Sequence, residues 1–306
     1  MNYIELFYKI IPKLSNGLYK GNCGKTAIIG GCLEYSGAPY FASIASLRAG
    51  ADLSYIITDP CVSTCIKSYS PDIIVLPYLN SNNGFVKSEQ FYKRFDIFGL
   101  GPGLGKSYFS QIDVLIEQII KRKISIVIDA DGINYICEYN EKFRNYLKNN
   151  PETIIIITPN LNEFNKLKDC VNMKHQDNAG GINELCKLLG KNVYIVLKGK
   201  CDTIGYSQDT DYMCIEPIKS INRRCGGQGD VLCGIMATFV NWAIKYCQKN
   251  NISNMPKYIK SSIIASSQLV RYSANIAFIK KKRSIITNDI INEIGSSFEF
   301  LFENKI

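Results

Sequence analysis

Within eight residues, Arg223-Arg224-Cys225-Gly226-Gly227-Gln228-Gly229-Asp230 brings together most of what phosphoryl transfer asks of a protein. Three glycines let the backbone turn tightly and aim unpaired N–H groups at one point. The apolar run that follows from Val231 reads as a buried helix, whose dipole adds positive potential at the same place. Such a nest suits the charge that develops on a phosphoryl group in transfer. Asp230 stands at its lip, placed to take a proton from an attacking hydroxyl, and its position at a helix start is expected to keep it ionised. Arg223 and Arg224 would neutralise phosphate oxygens. A glycine-rich turn capped by Asp230 is an equally open reading of these residues alone.

Further candidates follow β-branched runs. Gly99-Leu100-Gly101-Pro102-Gly103-Leu104-Gly105 lets the backbone pass close to a ligand, but it departs from the G-x-G-x-x-G dinucleotide pattern. Asp129-Ala130-Asp131-Gly132 sets two carboxylates at a strand end, apt for Mg²⁺ through water, or for a capped turn. In Thr158-Pro159-Asn160-Leu161-Asn162-Glu163-Phe164, Asn160 and Glu163 have the spacing of a capping box, which is the favoured reading; ligand contacts are the other. Lys198-Gly199-Lys200-Cys201-Asp202 reads as a strand ending over a nucleotide, or as a hairpin turn. Lys20-Gly21-Asn22-Cys23-Gly24-Lys25 and Tyr35-Ser36-Gly37-Ala38-Pro39 flank one strand as a candidate binding edge. No G-x-x-x-x-G-K-[ST] loop occurs, which argues against a P-loop NTPase.

The elements that would position these residues alternate. Strands are expected at 26–29, 53–58, 73–76, 97–100, 124–128, 154–158 and 194–197, with a late edge strand at 211–216. Their near-continuous apolar character implies burial on both faces, hence a mostly parallel sheet. Helices are expected at 39–49, 108–122, 133–138, 162–168 and 183–189, then at 231–248, 257–279 and 288–302. The fold class is therefore α/β, with a mostly parallel central sheet, helices on both faces and a helical C-terminal part. No composition shift, linker or repeat divides residues 1–306, which read as one domain.

Composition narrows the setting. The chain has 306 residues, 46% hydrophobic, with a net charge of +9 from scattered lysines. That favours small anionic ligands over nucleic acid. Twelve cysteines without a C-x-x-C pair read as dispersed thiols in a reducing compartment. His175 is the sole histidine, which argues against His-rich zinc sites and Ser-His-Asp chemistry; a surface role is its default. Glu5 and Lys9 interrupt the first apolar stretch, so it is no signal peptide, and the helix at 231–244 is too short to span a bilayer. A soluble cytoplasmic protein is expected, with no membrane partner; the amphipathic first helix leaves mitochondrial import open.

Taken in order, these segments resemble the ATP-dependent NAD(P)H-hydrate dehydratase family of the ribokinase-like superfamily. The similarity runs from Ile10-Ile11-Pro12 to the C-terminal helices. Its most specific pieces are Tyr35–Pro39, Gly101–Gly105, Asp129–Gly132 and Arg223–Asp230, with Gln228 matching the eukaryotic form. The resemblance implies a ribokinase-like fold and a repair enzyme. ATP would phosphorylate the ring hydroxyl of the S epimer of hydrated NADH or NADPH, and phosphate would then leave. It implies ATP contacts from Lys198, Gly199, Lys200, Cys201 and Asp202, and from Ser220, Ile221, Asn222, Arg223, Arg224, Cys225, Gly226, Gly227, Gln228 and Gly229. It implies hydrate contacts from Gly103, from Asn160, Leu161, Asn162, Glu163, Phe164, Asn165 and Lys166, and from Asp230 as base. Mg²⁺ should accompany ATP, and a separate epimerase should serve the R epimer. ATP and hydrate are expected on opposite sides of Gly226–Gly229.

Two residues depart from the family pattern: Asn160 follows Thr-Pro where histidine is usual, and Tyr19 precedes Lys-Gly in place of histidine. Asn160 keeps a hydrogen bond but cannot carry charge. Two other functions stay open: a small-molecule kinase acting on a vitamin-precursor alcohol, and a non-catalytic nucleotide-binding regulator. Homo-oligomerisation and the choice between the two hydrates are not fixed by the sequence.

Overall fold

The computed structural model describes residues 3–17, 19–79, 88–173, 181–219 and 221–303. Ser220 and His175 lie outside the described residues. Nine strands form one sheet: β1 (Lys25–Ile29), β2 (Leu53–Ile57), β3 (Ile74–Leu76), β4 (Ile97–Leu100), β5 (Ser125–Ile128), β6 (Ile155–Ile157), β7 (Val193–Leu197), β8 (Asp202–Tyr206) and β9 (Met213–Ile215). Their order is β3-β2-β1-β4-β5-β6-β7-β8-β9. Neighbours from β3 to β7 run parallel, while β7–β8 and β8–β9 are antiparallel. The order reverses between β1 and β4, the switch point beyond which open α/β sheets collect ligands.

Alternation along each strand builds two cores. Ile28, Ile56, Ile97, Val127, Ile156 and Val196 face one way. That face packs against α1 (Tyr3–Ile10), α2 (Gly37–Arg48), α10 (Gln228–Lys249) and α11 (Met255–Lys281). Ala27, Ile57, Phe98, Ile126, Ile155 and Ile195 face the other way. There they meet α4 (Glu89–Tyr92), α5 (Phe109–Lys121), α6 (Asp131–Glu138), α7 (Asn140–Asn149), α8 (Leu161–Cys170) and α9 (Ile182–Leu189). The remaining helices are α3 (Pro60–Tyr69), α12 (Thr287–Asn292) and α13 (Ile294–Phe298), the last running into a π turn over Glu299–Glu303. No helix among the described residues is long and apolar enough to cross a membrane. All twelve cysteines are free thiols.

Several expectations are corrected. The helix expected from Val231 starts at Gln228, so Asp230 is inside its first turn. The single helix expected at 288–302 is broken into α12, α13 and the π turn. The segment Lys20–Lys25 sits at the amino end of β1, opposite the site. Asp52 Oδ2 there accepts the Gly21 and Cys23 amides, both at 2.8 Å, and Lys245 pairs with Asp96, so this turn is a structural brace.

Candidate active site

The carboxyl ends of β5, β6 and β7 converge on one buried carboxylate. Asp129, 2% exposed, follows β5 and accepts the Thr158 hydroxyl at 2.9 Å and the Lys198 ammonium at 2.5 Å. Lys198 arrives from β7, its own amide donating to Pro159 O at 2.8 Å. Burial alone would lower the lysine, but Asp129, with Glu163 adding, holds its ammonium above the ordinary value. Asp131 opens α6, and its carboxylate accepts the Gly105 amide at 2.9 Å and Asn134 Nδ2 at 3.0 Å. Between the two aspartates, Ala130 is held at φ 47°, a costly backbone for a residue with a side chain. The capped-turn reading of this pair is thereby corrected: neither aspartate caps α6, and each is committed elsewhere.

The glycine-rich segment wraps the start of α10. Gly227 caps the helix at φ 97°, and a Cβ there would lie 2.8 Å from the Phe41 ring and 2.9 Å from Thr287 Oγ1. The Thr287 hydroxyl, in turn, donates to Gly226 O. At Gly229 a Cβ would meet Asp129 Oδ2 at 3.2 Å and Lys198 Nζ at 3.4 Å, so this turn lies directly on the ion pair.

Asp230 follows, half-buried by exposed area yet densely surrounded by protein. It makes no side-chain hydrogen bond among the described residues. Burial first, then the Asp129 charge with Asp131 adding, pushes its carboxyl up to about 8 against the pull of Lys198. The expectation of an ionised cap is therefore corrected. The third helical position turns the carboxyl toward like charges, and desolvation outweighs the helix dipole.

Beside this cluster opens a cleft of ≈ 500 Å³. Lys198, Gly199, Lys200 and Asp202 line one side; Ile221, Asn222, Arg223, Arg224, Cys225, Gln228 and Gly229 line another. Cys201 turns aside, its thiol 3.8 Å from Glu216 Oε2. Gly226 and Gly227 shape the loop from behind. Two anticipated contacts are already engaged. Lys198 is ion-paired, and Asp202 is bound to Arg271 and Ser267, so the Lys198–Asp202 stretch is indeed a hairpin turn between β7 and β8. The sequence reading missed a third wall from α10 and α11: Leu232, Ser267, Val270, Arg271 and Ala274. The only local hint was a Ser and an Arg four residues apart on one helix.

The expected hydrate residues separate. Asn160 lines the same cleft as the residues expected to meet ATP. Its Oδ1 accepts the Glu163 amide at 3.0 Å while Glu163 Oε2 accepts the Asn160 amide at 2.8 Å, a complete capping box. Burial, with Asp129 adding, raises the Glu163 carboxyl although Lys198 opposes it. Phe164 is fully buried in the core, so its side chain cannot touch a ligand, whereas Leu161, Asn162, Asn165 and Lys166 are exposed. Gly103, at φ 59°, lies outside the cleft; a Cβ there would meet Tyr35 O at 2.6 Å. It thus joins the β4–α5 loop to Tyr35–Ala38 across the switch point, where the Gly31 amide also donates to Gly103 O at 3.0 Å.

The fold has solved counterparts. A ribokinase-like protein from Enterococcus faecalis superposes with a TM-score of 0.73 at 20% identity, over 97% of this chain and 94% of that one. The ADP/ATP-dependent NAD(P)H-hydrate dehydratase of Bacillus subtilis, co-crystallised with ATP/Mg²⁺, gives 0.71 at 16% identity over 97% of both chains. In sequence, the human ATP-dependent (S)-NAD(P)H-hydrate dehydratase is 36% identical over 307 residues, 99% of this chain and 85% of that protein. The family model described as NAD(P)H-hydrate dehydratase matches residues 26–295, a span that runs from the second residue of β1 past α12. By that match and that identity, the chain belongs to the NAD(P)H-hydrate dehydratase family.

Proposed function

We propose that this chain carries out the ATP-dependent dehydration of the S epimer of hydrated NADH or NADPH, with residues 1–306 acting as one domain. The observation that supports it above all is the adjacency of Gly229 and Asp230. Gly229 lines the cleft beside Lys198, and the next residue is an unpaired carboxyl. A phosphoryl donor and a hydroxyl acceptor would meet at that step of the backbone.

In this reading the loop 221–229 and the turn 198–202 receive ATP, with Arg223 and Arg224 offsetting phosphate charge. Asp230 accepts the hydroxyl proton as its oxygen bonds to the γ-phosphorus and the bond to ADP breaks. Phosphate then departs with the electron pair of the breaking C–O bond, the proton on the neighbouring carbon is lost to solvent, and the C–H pair left behind becomes the C5–C6 double bond. Hydroxide is a poor leaving group and phosphate a far better one, which is why a kinase scaffold serves a dehydration. Only an ionised Asp230 can act, so ligands that bring positive charge or displace Asp129 would prepare it.

Among the described residues no group of three or more metal-binding side chains converges. Asp129 and Asp131 offer oxygen donors only, which suits magnesium, since that ion takes one or two carboxylates and draws its other ligands from phosphate and water. Carried in with ATP, it would neutralise phosphate charge. A separate epimerase would serve the R epimer, and the cytoplasm is the setting we propose.

The test is recovery of absorbance near about 340 nm from hydrated NADH, dependent on ATP and matched by free phosphate. A stable phosphoester would instead mark a small-molecule kinase. Absence of ATP turnover would mark a regulator.

A further inference from the structure

Arg271, on the α11 wall of the cleft, has four of its five N–H donors engaged. Nε donates to Asp202 Oδ2 at 3.2 Å and NH1 to Lys200 O at 3.0 Å. NH2 donates to Gly199 O at 2.9 Å and to Asp202 Oδ1 at 2.5 Å. Asp202 is held as fully, accepting the Gly199 amide at 3.0 Å and the Ser267 hydroxyl at 2.5 Å. The two side chains are 15% and 5% exposed. A guanidinium so committed is a fixed fork, with little left to give a ligand directly.

Its effect on the turn is geometric. A trans peptide puts C=O and N–H on opposite sides, and this chain has no cis bond among the described residues. The Gly199 carbonyl shares a peptide plane with the Lys200 N–H, and the Lys200 carbonyl shares one with the Cys201 N–H. Drawing both carbonyls to Arg271 turns both N–H groups away from it. Neither amide has an acceptor among the described residues. Of the two residues Lys200 lines the cleft, where a free amide can donate to an anion.

We propose that Arg271 is a positioning residue for the nucleotide: it locks turn 198–202 so that Lys200, which lines the cleft, presents its free amide to phosphate oxygens. This rests on the ATP reading of the cleft. Arg271 itself does not touch the nucleotide. Because the lock needs a planar fork, lysine does not replace it.

The experiment uses the full chain with MgATP and hydrated NADH, comparing wild type with Arg271→Lys and Asp202→Asn. In Arg271→Lys, KM for ATP should rise about tenfold or more, since several charge-assisted hydrogen bonds are lost. KM for the hydrate and kcat at saturating ATP should hold, a split that general loosening of the fold would not give. Asp202→Asn should raise KM for ATP in the same direction by less, and it decides the matter if the Arg271 variant fails to fold. An unchanged KM for ATP in a folded variant, or an equal rise in both KM values, overturns the proposal. Wild type without ATP-dependent hydrate turnover would overturn the functional reading, and this proposal with it.

Discussion

Lys198 Nζ stands 2.5 Å from Asp129 Oδ1, and this pair faces Asp230 across the bare Cα of Gly229. The ammonium is also felt by Glu163 and Asp230, so a single cation serves three carboxyls gathered from the end of β5, from α8 and from α10. The charge balance of the site therefore turns on one side chain, which is 22% exposed.

Removing that cation should be expensive for the fold. Lys198→Met leaves Asp129 buried with only the Thr158 hydroxyl, and breaking a buried pair in this way typically costs about 3–5 kcal/mol. Asp129→Asn in the same chain removes the stranded charge and should recover part of the loss. A double-mutant cycle by denaturant unfolding checks it, with a coupling of about 0.5–3 kcal/mol expected. Additive losses would show that the pair is not coupled.

Asp230 should leave a mark on stability as pH changes. Its folded carboxyl is raised to about 8 from an ordinary 3.8, so the folded state keeps a proton that the unfolded chain releases. The stabilisation is fully present below about pH 4, shrinks as pH rises, and is gone above about 8. Asp230→Asn cannot ionise. Its melting temperature relative to wild type should therefore climb between pH 5 and 9, measured without nucleotide or metal. Parallel melting curves would contradict the raised carboxyl.

Much of this scaffold was legible because apolar β-branched runs have few other fates. The strand at Ile97–Leu100 matches its expectation residue for residue, and most others differ by one or two. Strand β8 was missed because Gly205 and Asp202 read as loop. Gly205 is there because a Cβ would strike Ile182 at 2.7 Å, and Asp202 because Arg271 needs it. Helix α7 was missed because its exposed face is polar and only Phe143 and Leu147 are buried. In the site, glycine and carboxylate spacing located the cleft. Arg271 could not be found this way: its partner lies 69 residues earlier, and only the fold brings them together. The charge state of Asp230 failed for the same reason, since its burial, and then the Asp129 charge at the end of β5, are set only by the fold.

Gly103 offers a test of the switch point apart from the cleft beside Lys198. Gly103→Ala puts a Cβ 2.6 Å from Tyr35 O at φ 59°, where the backbone already disfavours a side chain. A loss of about 1–3 kcal/mol in stability is expected. If the loop contacts the hydrate, KM for the hydrate should rise while KM for ATP holds. Equal effects on both would remove Gly103 from the hydrate site.

The decisive variant is Asp230→Asn. The substitution keeps the shape of the side chain and removes its capacity to accept a proton. Gly227, not Asp230, caps α10, and the carboxyl holds no hydrogen bond among the described residues, so folding should survive. The cleft-lining loop residues Asn222 to Cys225, Gln228 and Gly229 are untouched, so ATP affinity should change little or rise slightly as a competing negative charge disappears. General-base catalysis contributes roughly 10²–10⁴-fold, and kcat for the hydrate should fall by that factor. Three measurements on one preparation separate the outcomes: melting temperature, ATP affinity and hydrate turnover. Turnover near that of wild type in a folded, ATP-binding variant would remove Asp230 from the chemistry and leave the proton to another group.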